Sequence, residues 1–368
     1  MKYFIIAGEA SGDLHGANLM KAIKKADANA QFNFWGGDNM QAEAPGLLAH
    51  QKDIAIMGFV EVVLKIRTIL GNISKCKEQI LNFKPDVVVL IDYPGFNLRI
   101  AEFCKQQNIR NAYYISPKVW AWKESRVKKL EKFVDDLLLI FPFEINYFKK
   151  FKVNATYVGN PLLDELASFS PNLNFYSENN LDNRKIIALL PGSRKQEIKT
   201  MLPIMLEATK NYPDHQLVIA GAPSLDKSLY EPYLNERMNI VFGQTYQLLH
   251  HSTAAIVCSG TATLETALFN IPQVCGYAGN QLSYLIIKML ANIKYISLVN
   301  LCLDRICITE LIQHDATPEK FKLELDKIMP GGANREKMLN DYIELQELLG
   351  GVGASERASR VIIKNIKS

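Results

Sequence analysis

Four stretches of residues have types and spacings that can do chemistry. In VVLIDYPGFN (88–97), Asp92 ends the apolar run DVVVLID (86–92) between Ile91 and Tyr93. A carboxylate so placed is partly desolvated, which raises its pKa toward that of a useful general base. The competing reading makes Asp92 the cap of a turn before Pro94. In LLPGSR (189–194), the backbone turns at Gly192 and delivers Arg194 at a sheet edge, where a guanidinium suits bidentate contact with phosphate oxygens. In CSGTATLETAL (258–268), Ser259, Gly260 and Thr261 separate a strand from a helix whose N-terminus would face an anion. Glu265 lies one turn further on and can accept the hydroxyls of a ribose. Taken singly, Ser259 and Thr261 read equally well as helix caps and Glu265 as a solvated helix residue. Together they favour a nucleoside diphosphate. Neither stretch is a Walker loop or GxGxxG, which weakens the case for ATP hydrolysis or NAD binding.

The fourth is FIIAGEASGDLHGANLM (4–20), a strand, a turn with Gly8, Gly12 and Gly16, and a helix. Glu9 and Asp13 sit in that turn and would repel a phosphate. Carboxylates accept from hydroxyls, so Gly8, Glu9, Ser11, Gly12 and Asp13 are read as a cradle for a polyhydroxylated neutral group. The alternative is local: Asp13 favours the helix dipole and Gly12 relieves a tight turn.

The elements that must position these residues read as a β/α series. Strands are expected at 3–7, 31–35, 86–92, 111–115, 136–141 and 153–158, with helices such as 12–25, 97–107 and 143–151 between them. A polar stretch, 160–183, reads as a linker. A second series has strands at 185–191, 216–221, 254–259 and 272–277, and helices at 318–329, 334–349 and 353–366. Apolar strands alternating with helices predict parallel sheets covered on both faces. The expectation is an α/β chain of two Rossmann-like domains facing across a cleft. The domains are 1–160, joined by 353–368 crossing back, and 184–352.

The chain has 368 residues, too many for one ordinary core, and 48% hydrophobic residues, which excludes general disorder. Residues 1–160 hold 22 Lys+Arg against 16 Asp+Glu, a moderately basic balance. That suits an anionic surface, but no recognition motif supports nucleic acid. Cys76, Cys104, Cys258, Cys275, Cys302 and Cys307 lack CxxC spacing and read as reduced thiols. Met1–Lys2 leads straight into a strand, so no signal peptide is read, and no apolar run reaches a membrane span. IMGFVEVVLKIRTIL (56–70) is either a core helix or a greasy collar, with Met57, Phe59, Val63 and Leu70, that dips into lipid. SPKVWAWKESRVKKLEKF (116–133) adds two tryptophans and a basic helix.

AGEASGDLHGA, AIMGFVEV, IDYPGFN, SPKVWAWK, PFE (142–144), LLPGSR, SGTATLE and SLVN (297–300) occur in the order and spacing of the lipid-A-disaccharide synthases. The chain resembles that family from about residue 3 to 313. The resemblance implies a GT-B-fold, inverting glycosyltransferase that joins UDP-2,3-diacylglucosamine to 2,3-diacylglucosamine 1-phosphate, giving a β-1,6-linked disaccharide 1-phosphate and UDP. It implies no cofactor and no metal, in keeping with a chain that has no Asp-x-Asp. It places the protein at the cytoplasmic face of the inner membrane, peripheral, with the two lipid substrates as partners and no nucleic acid, and it allows a homodimer. By similarity Asp92 is the base for the acceptor's 6-hydroxyl. Arg194 clamps the leaving diphosphate, Ser259, Gly260 and Thr261 offer it N–H groups, and Glu265 holds the ribose. Asn300, Arg305 and Glu310 match a segment near the donor. Gly95, Asn160, Val299 and Ile306 depart from the residues common in the family. Two other readings stay open: a UDP-sugar 2-epimerase on the same scaffold, and a nucleotide-sugar-binding protein with no activity.

Overall fold

The apolar runs become strands of two parallel sheets, one in each of two units. The structure, a computed structural model, describes residues 1–54, 66–120, 124–235, 238–279 and 294–366. Unit 1 comprises Met1–Ala167 with Leu349–Ser368, and unit 2 comprises Ser168–Leu348.

In unit 1 the strands are β1 (Lys2–Ala7), β2 (Gln31–Gly36), β3 (Leu47–His50), β4 (Val87–Ile91), β5 (Asn111–Tyr114), β6 (Asp136–Leu139) and β7 (Ala155–Tyr157). Their order across the sheet is β3-β2-β1-β4-β5-β6-β7. In unit 2 they are β8 (Lys185–Leu190), β9 (His215–Gly221), β10 (Met238–Phe242), β11 (Ser252–Cys258), β12 (Gln273–Tyr277) and β13 (Glu310–Ile312), in the order β10-β9-β8-β11-β12-β13. Both sheets are doubly wound. In each the strand order reverses once while all strands stay parallel, between β1 and β4 in unit 1 and between β8 and β11 in unit 2. Ligands of open α/β sheets bind outside the carboxyl ends of the strands at such a reversal.

Central strands are apolar throughout because helices cover both faces: VVVLI of β4 is wholly buried. Three strands were not expected from the sequence: β3, β10 and β13. All three are short, half-exposed sheet edges, so none carries a continuous apolar run. The stretch 160–183 also differs from an irregular linker. It holds helices Leu162–Ala167 and Phe175–Glu178, and Phe175 is fully buried in the core of unit 2.

The last helix, Ala354–Ile366, returns to unit 1 and packs along Ala10–Ala26. Asp164 fixes its start, accepting from the backbone N–H groups of Gly353 (2.5 Å), Ala354 (3.1 Å) and Ser355 (2.8 Å). All six cysteines are free thiols, and only Cys307 is not buried. No helix among the described residues is long and apolar enough to cross a membrane.

Candidate functional site

In unit 1, Ala7 of β1 pairs with Ile91 of β4. The glycine turn and Asp92 therefore leave the sheet side by side, at its reversal. Asp92 has φ +42° and Tyr93 φ +47°, two consecutive non-glycine residues in the left-handed region. Such conformations cost about 1–3 kcal/mol each and persist only where the surroundings impose them. The constraint is visible. The Asp92 carbonyl accepts from Tyr113 Oη (2.6 Å) and from buried Asn97 Nδ2 (2.8 Å), which also reaches the Ile91 carbonyl (3.1 Å). The Asp92 N–H donates to the Tyr114 carbonyl (3.1 Å). Pro94 then opens the helix Pro94–Gln106 with its preset φ.

Burial, first, and then the nearby Glu9 carboxylate push the Asp92 carboxyl up to about 6; the Lys118 ammonium and the Tyr93 N–H pull the other way. Asp92 thus stands near the range in which a carboxylate exchanges a proton at neutral pH.

The rest of the glycine turn behaves differently from a five-residue cradle. Gly8 lies under the Tyr93 ring, which a Cβ there would strike. Gly12 packs on Ala7, a Cβ at Gly12 lying 3.3 Å from the Ala7 Cβ. Asp13 is a correction. It is 0% exposed, and its carboxylate accepts from the N–H groups of Gly37 (2.6 Å), Asn39 (3.0 Å) and Met40 (3.1 Å) and from Asn39 Nδ2 (2.9 Å). It anchors the helix Asp38–Glu43, and no lone pair is left for a substrate hydroxyl. Glu9 and Ser11 remain exposed at the sheet edge.

In unit 2, Leu190 of β8 pairs with Val257 of β11, so Arg194 and Ser259–Thr261 emerge from adjacent strands at that sheet's reversal. Gly192 has φ +107°, and a Cβ there would collide with Glu197. Glu197 organises the turn. Its Oε2 accepts from the N–H groups of Ser193 (3.0 Å) and Arg194 (3.2 Å), and its Oε1 pairs with Arg194 Nη1 (3.0 Å). The Arg194 side chain is 80% exposed beyond that contact. Glu197 was missed from sequence, although a carboxylate three residues into a helix is a capping signal. Charge places these groups together: Glu197 and Arg194 both act on Cys258, whose thiol burial pushes up to about 12, and on Tyr277.

Ser259 is partly a correction. Its N–H donates to the Gly276 carbonyl (2.9 Å) and its Oγ to the Ile296 carbonyl (3.1 Å), so it has no N–H to offer a phosphate. Gly260 is the cap residue of the helix Thr261–Leu268 and brings no side chain to it. Among the described residues no carbonyl accepts from the N–H groups of Gly260 and Thr261, as befits a helix N-terminus. Glu265 is half-buried, its Oε1 accepting from Tyr246 Oη (3.1 Å).

Asn300 and Arg305 are corrections too. Asn300 is fully buried; its Nδ2 donates to the Ile308 carbonyl (2.9 Å) and Glu310 Oε1 (2.9 Å), and its Oδ1 accepts from the N–H groups of Cys307 (2.8 Å) and Ile308 (3.0 Å). Glu310 also holds the N–H groups of Ile296 (3.0 Å) and Ser297 (3.0 Å). Arg305 is paired with Asp341 (2.8 Å) and Glu344 (2.6 Å) on the helix Arg335–Leu348. Both residues hold unit 2 together. Of the apolar collar, Leu70 is 56% exposed on the helix Ile66–Phe83, whereas Met57, Phe59 and Val63 lie outside the described residues. Among the departures from the family pattern, Asn160 and Val299 are buried, Gly95 is exposed with open space where a Cβ would stand, and Ile306 is exposed.

The arrangement offers a proton acceptor on one unit, and a cation beside two helix N-termini, with a carboxylate one turn away, on the other. Solved structures share the two-domain fold. A UDP-N-acetylglucosamine 2-epimerase of Listeria monocytogenes described as putative superposes with TM-score 0.70 at 12% identity, over 100% of this chain and 96% of that one. The calicheamicin glycosyltransferase CalG4 does so with TM-score 0.62 at 11% identity, over 100% and 98%. At such identities the likeness is one of fold. Sequence is more specific. A lipid-A-disaccharide synthase of Syntrophus aciditrophicus is 38% identical over 372 residues, 99% of this chain and 97% of that protein. The model of the lipid-A-disaccharide synthetase family matches residues 3–362, and the chain belongs to that family.

Proposed function

We infer that the chain is a hexosyltransferase that makes the lipid A disaccharide, with Asp92 as its base. The donor is UDP-2,3-diacylglucosamine and the acceptor 2,3-diacylglucosamine 1-phosphate. Asp92 takes the proton of the acceptor's 6-hydroxyl as that oxygen bonds to the donor's anomeric carbon. The bond from that carbon to the diphosphate breaks, UDP leaves with the electron pair, and the anomeric configuration inverts. Charge grows on the leaving diphosphate, and fixed positive groups stabilise it most where they need no rearrangement. Arg194 and the N–H groups of Gly260 and Thr261 are assigned that role, and Glu265 the ribose hydroxyls. The observation that carries the reading is the carboxyl of Asp92, held in a strained turn at the sheet reversal and pushed up to about 6.

The test is UDP release from the donor, with and without the acylated acceptor. Release that requires the acceptor, and a loss of roughly 100-fold or more in Asp92→Asn with UDP affinity kept, is the expected result. A variant of near-normal rate removes Asp92 from the mechanism, and isomerised donor without acceptor would make the protein an epimerase.

For location, the reading is peripheral attachment to the cytoplasmic face of the inner membrane. It rests on the basic balance of residues 1–160 and on exposed Leu70 in the collar 56–70. Replacing Phe59, Val63 and Leu70 by Ser should abolish cosedimentation with anionic liposomes while the protein stays folded. Unchanged cosedimentation makes the segment ordinary core.

A further inference from the structure

The segment after β5 plays no part in the mechanism above, yet it leaves the sheet next to Asp92. Strands β4 and β5 are paired as far as Ile91 and Tyr114. The next residue, Ile115, has φ +66°, a conformation that a β-branched side chain adopts only under constraint. Asp92, Tyr93 and Ile115 thus concentrate backbone strain at two neighbouring strand ends, and such strain gathers where a precise position is needed.

The segment is pinned on both sides of Lys118. Before it, the Ile115 N–H donates to the Leu138 carbonyl (3.2 Å) and Ser116 is buried. After it, Val119 is buried and Trp120 Nε1 donates to Glu144 Oε1 (3.3 Å). The Trp120 ring meets Phe143 edge-on, centroids 4.8 Å apart. Glu144 is itself buried, and its Oε2 accepts from the N–H groups of Ile140 (3.2 Å) and Phe141 (3.0 Å) at the start of the helix Pro142–Phe148. Lys118 is exposed between these pins and forms no ion pair among the described residues. Its ammonium acts on both carboxyls, against the burial that pushes Asp92 up to about 6 and Glu144 up to about 7.

We propose that Lys118 is a positioning residue for Asp92: buried Val119 and the Trp120–Glu144 bond hold its backbone at the end of β5, beside the end of β4, and from there its ammonium keeps the neighbouring carboxylate ionised and able to accept a proton. The proposal rests on the reading of Asp92 as the base. Burial and Glu9, from the turn after β1, favour the protonated acid, which cannot take the acceptor's proton. Of the other groups nearby, Tyr113 on β5 feels the charges of Asp92 and Arg126, and the Tyr93 phenol feels that of Glu9. Lys118 is the cation that opposes Glu9.

The experiment is the pH profile of kcat/KM for the intact protein with both lipid substrates. In the parent the acid limb should fall near pH 6, the Asp92 value. Lys118→Met should move it upward by roughly half a unit to one unit, with the rate lost at low pH recovered at high pH. Lys118→Arg should restore the parent limb. Trp120→Phe, which loses the indole bond, should move the limb in the same direction. An unmoved limb in Lys118→Met overturns the proposal. So does a KM for acceptor that rises equally at every pH, which would put Lys118 on the acceptor's phosphate. Asp92→Asn separates the two readings. If it retains near-parent rate, the base assignment itself falls; if it is inactive while the Lys118→Met limb stays put, only the role of Lys118 falls.

Discussion

Asp92 is kept in a state that works against folding. Its carboxyl is half-buried, its backbone is left-handed, and its neighbour Glu9 carries the same charge. A folded-state value near 6 lies above the ordinary 3.8, so the native state binds the proton more tightly than the unfolded chain. Stability from this site is therefore lost as pH rises through 6 and fully recovered below about 4. Asn keeps the shape, drops the charge and tolerates left-handed backbone. Asp92→Asn should accordingly be more stable than the parent at pH 8, by up to about 3 kcal/mol and with a higher unfolding temperature, the difference closing toward pH 4. A variant less stable than the parent at pH 8 would mean that the carboxylate is stabilised by its surroundings. Asp92 and Arg194 were legible because each follows an apolar run that must end at a sheet edge. The partners of Asp13 were not: they lie 24 to 27 residues away, brought in by the β1–β2 pairing. Asn300 and Arg305 have the polar side chains of a binding site, and only the fold reveals that protein groups occupy them.

At the scale of elements, the same strand–turn–helix unit is used twice with opposite chemistry. After β1 and β4 the turns present carboxylates, Glu9 and Asp92; after β8 and β11 they present Arg194 and the helix N-terminus at Thr261. Topology explains why both pairs fall at a reversal of strand order, since only there do neighbouring helices diverge and leave the strand ends open. The central strands could be read from sequence because burial on both faces forces an unbroken apolar run. The edge strands could not, because one side is open and LLAH, MNIVF and ELI carry mixed polarity. The glycines were legible as a turn but not in purpose. Gly8 admits the Tyr93 ring and Gly192 admits the Glu197 carboxylate, so each is required by a side chain remote in the reading of motifs. A turn that looks built for a ligand is, at both places, built first for the residue that presents the reactive group.

At the scale of the molecule, one chain threads two units and returns. It enters unit 2 at Ser168 and re-enters unit 1 at Leu349, through Gly350, Gly351 and Gly353, all with positive φ. The returning helix buries Ala354, Ala358, Ile362 and Ile363, and its ends are tied by Asp164 and by Asn365 Nδ2 to Asp136 Oδ1 (2.7 Å). Burying two isoleucines and covering the facing helix stabilises unit 1 by several kcal/mol, a large part of a domain's net stability. Unit 2 has its own core, including Phe175, Ala188 and Val257, and needs none of that helix. Scanning calorimetry should therefore resolve two transitions. UDP at a hundred times its Kd should raise only the one belonging to unit 2, by about 2.7 kcal/mol of stability, because Arg194 and the Thr261 helix start lie there. Ending the chain at Leu348 should lower or abolish the other transition and leave the UDP shift intact. A UDP shift lost on that truncation would show that the nucleotide is held by unit 1, and the division of donor and acceptor between the two sheets would have to be reversed.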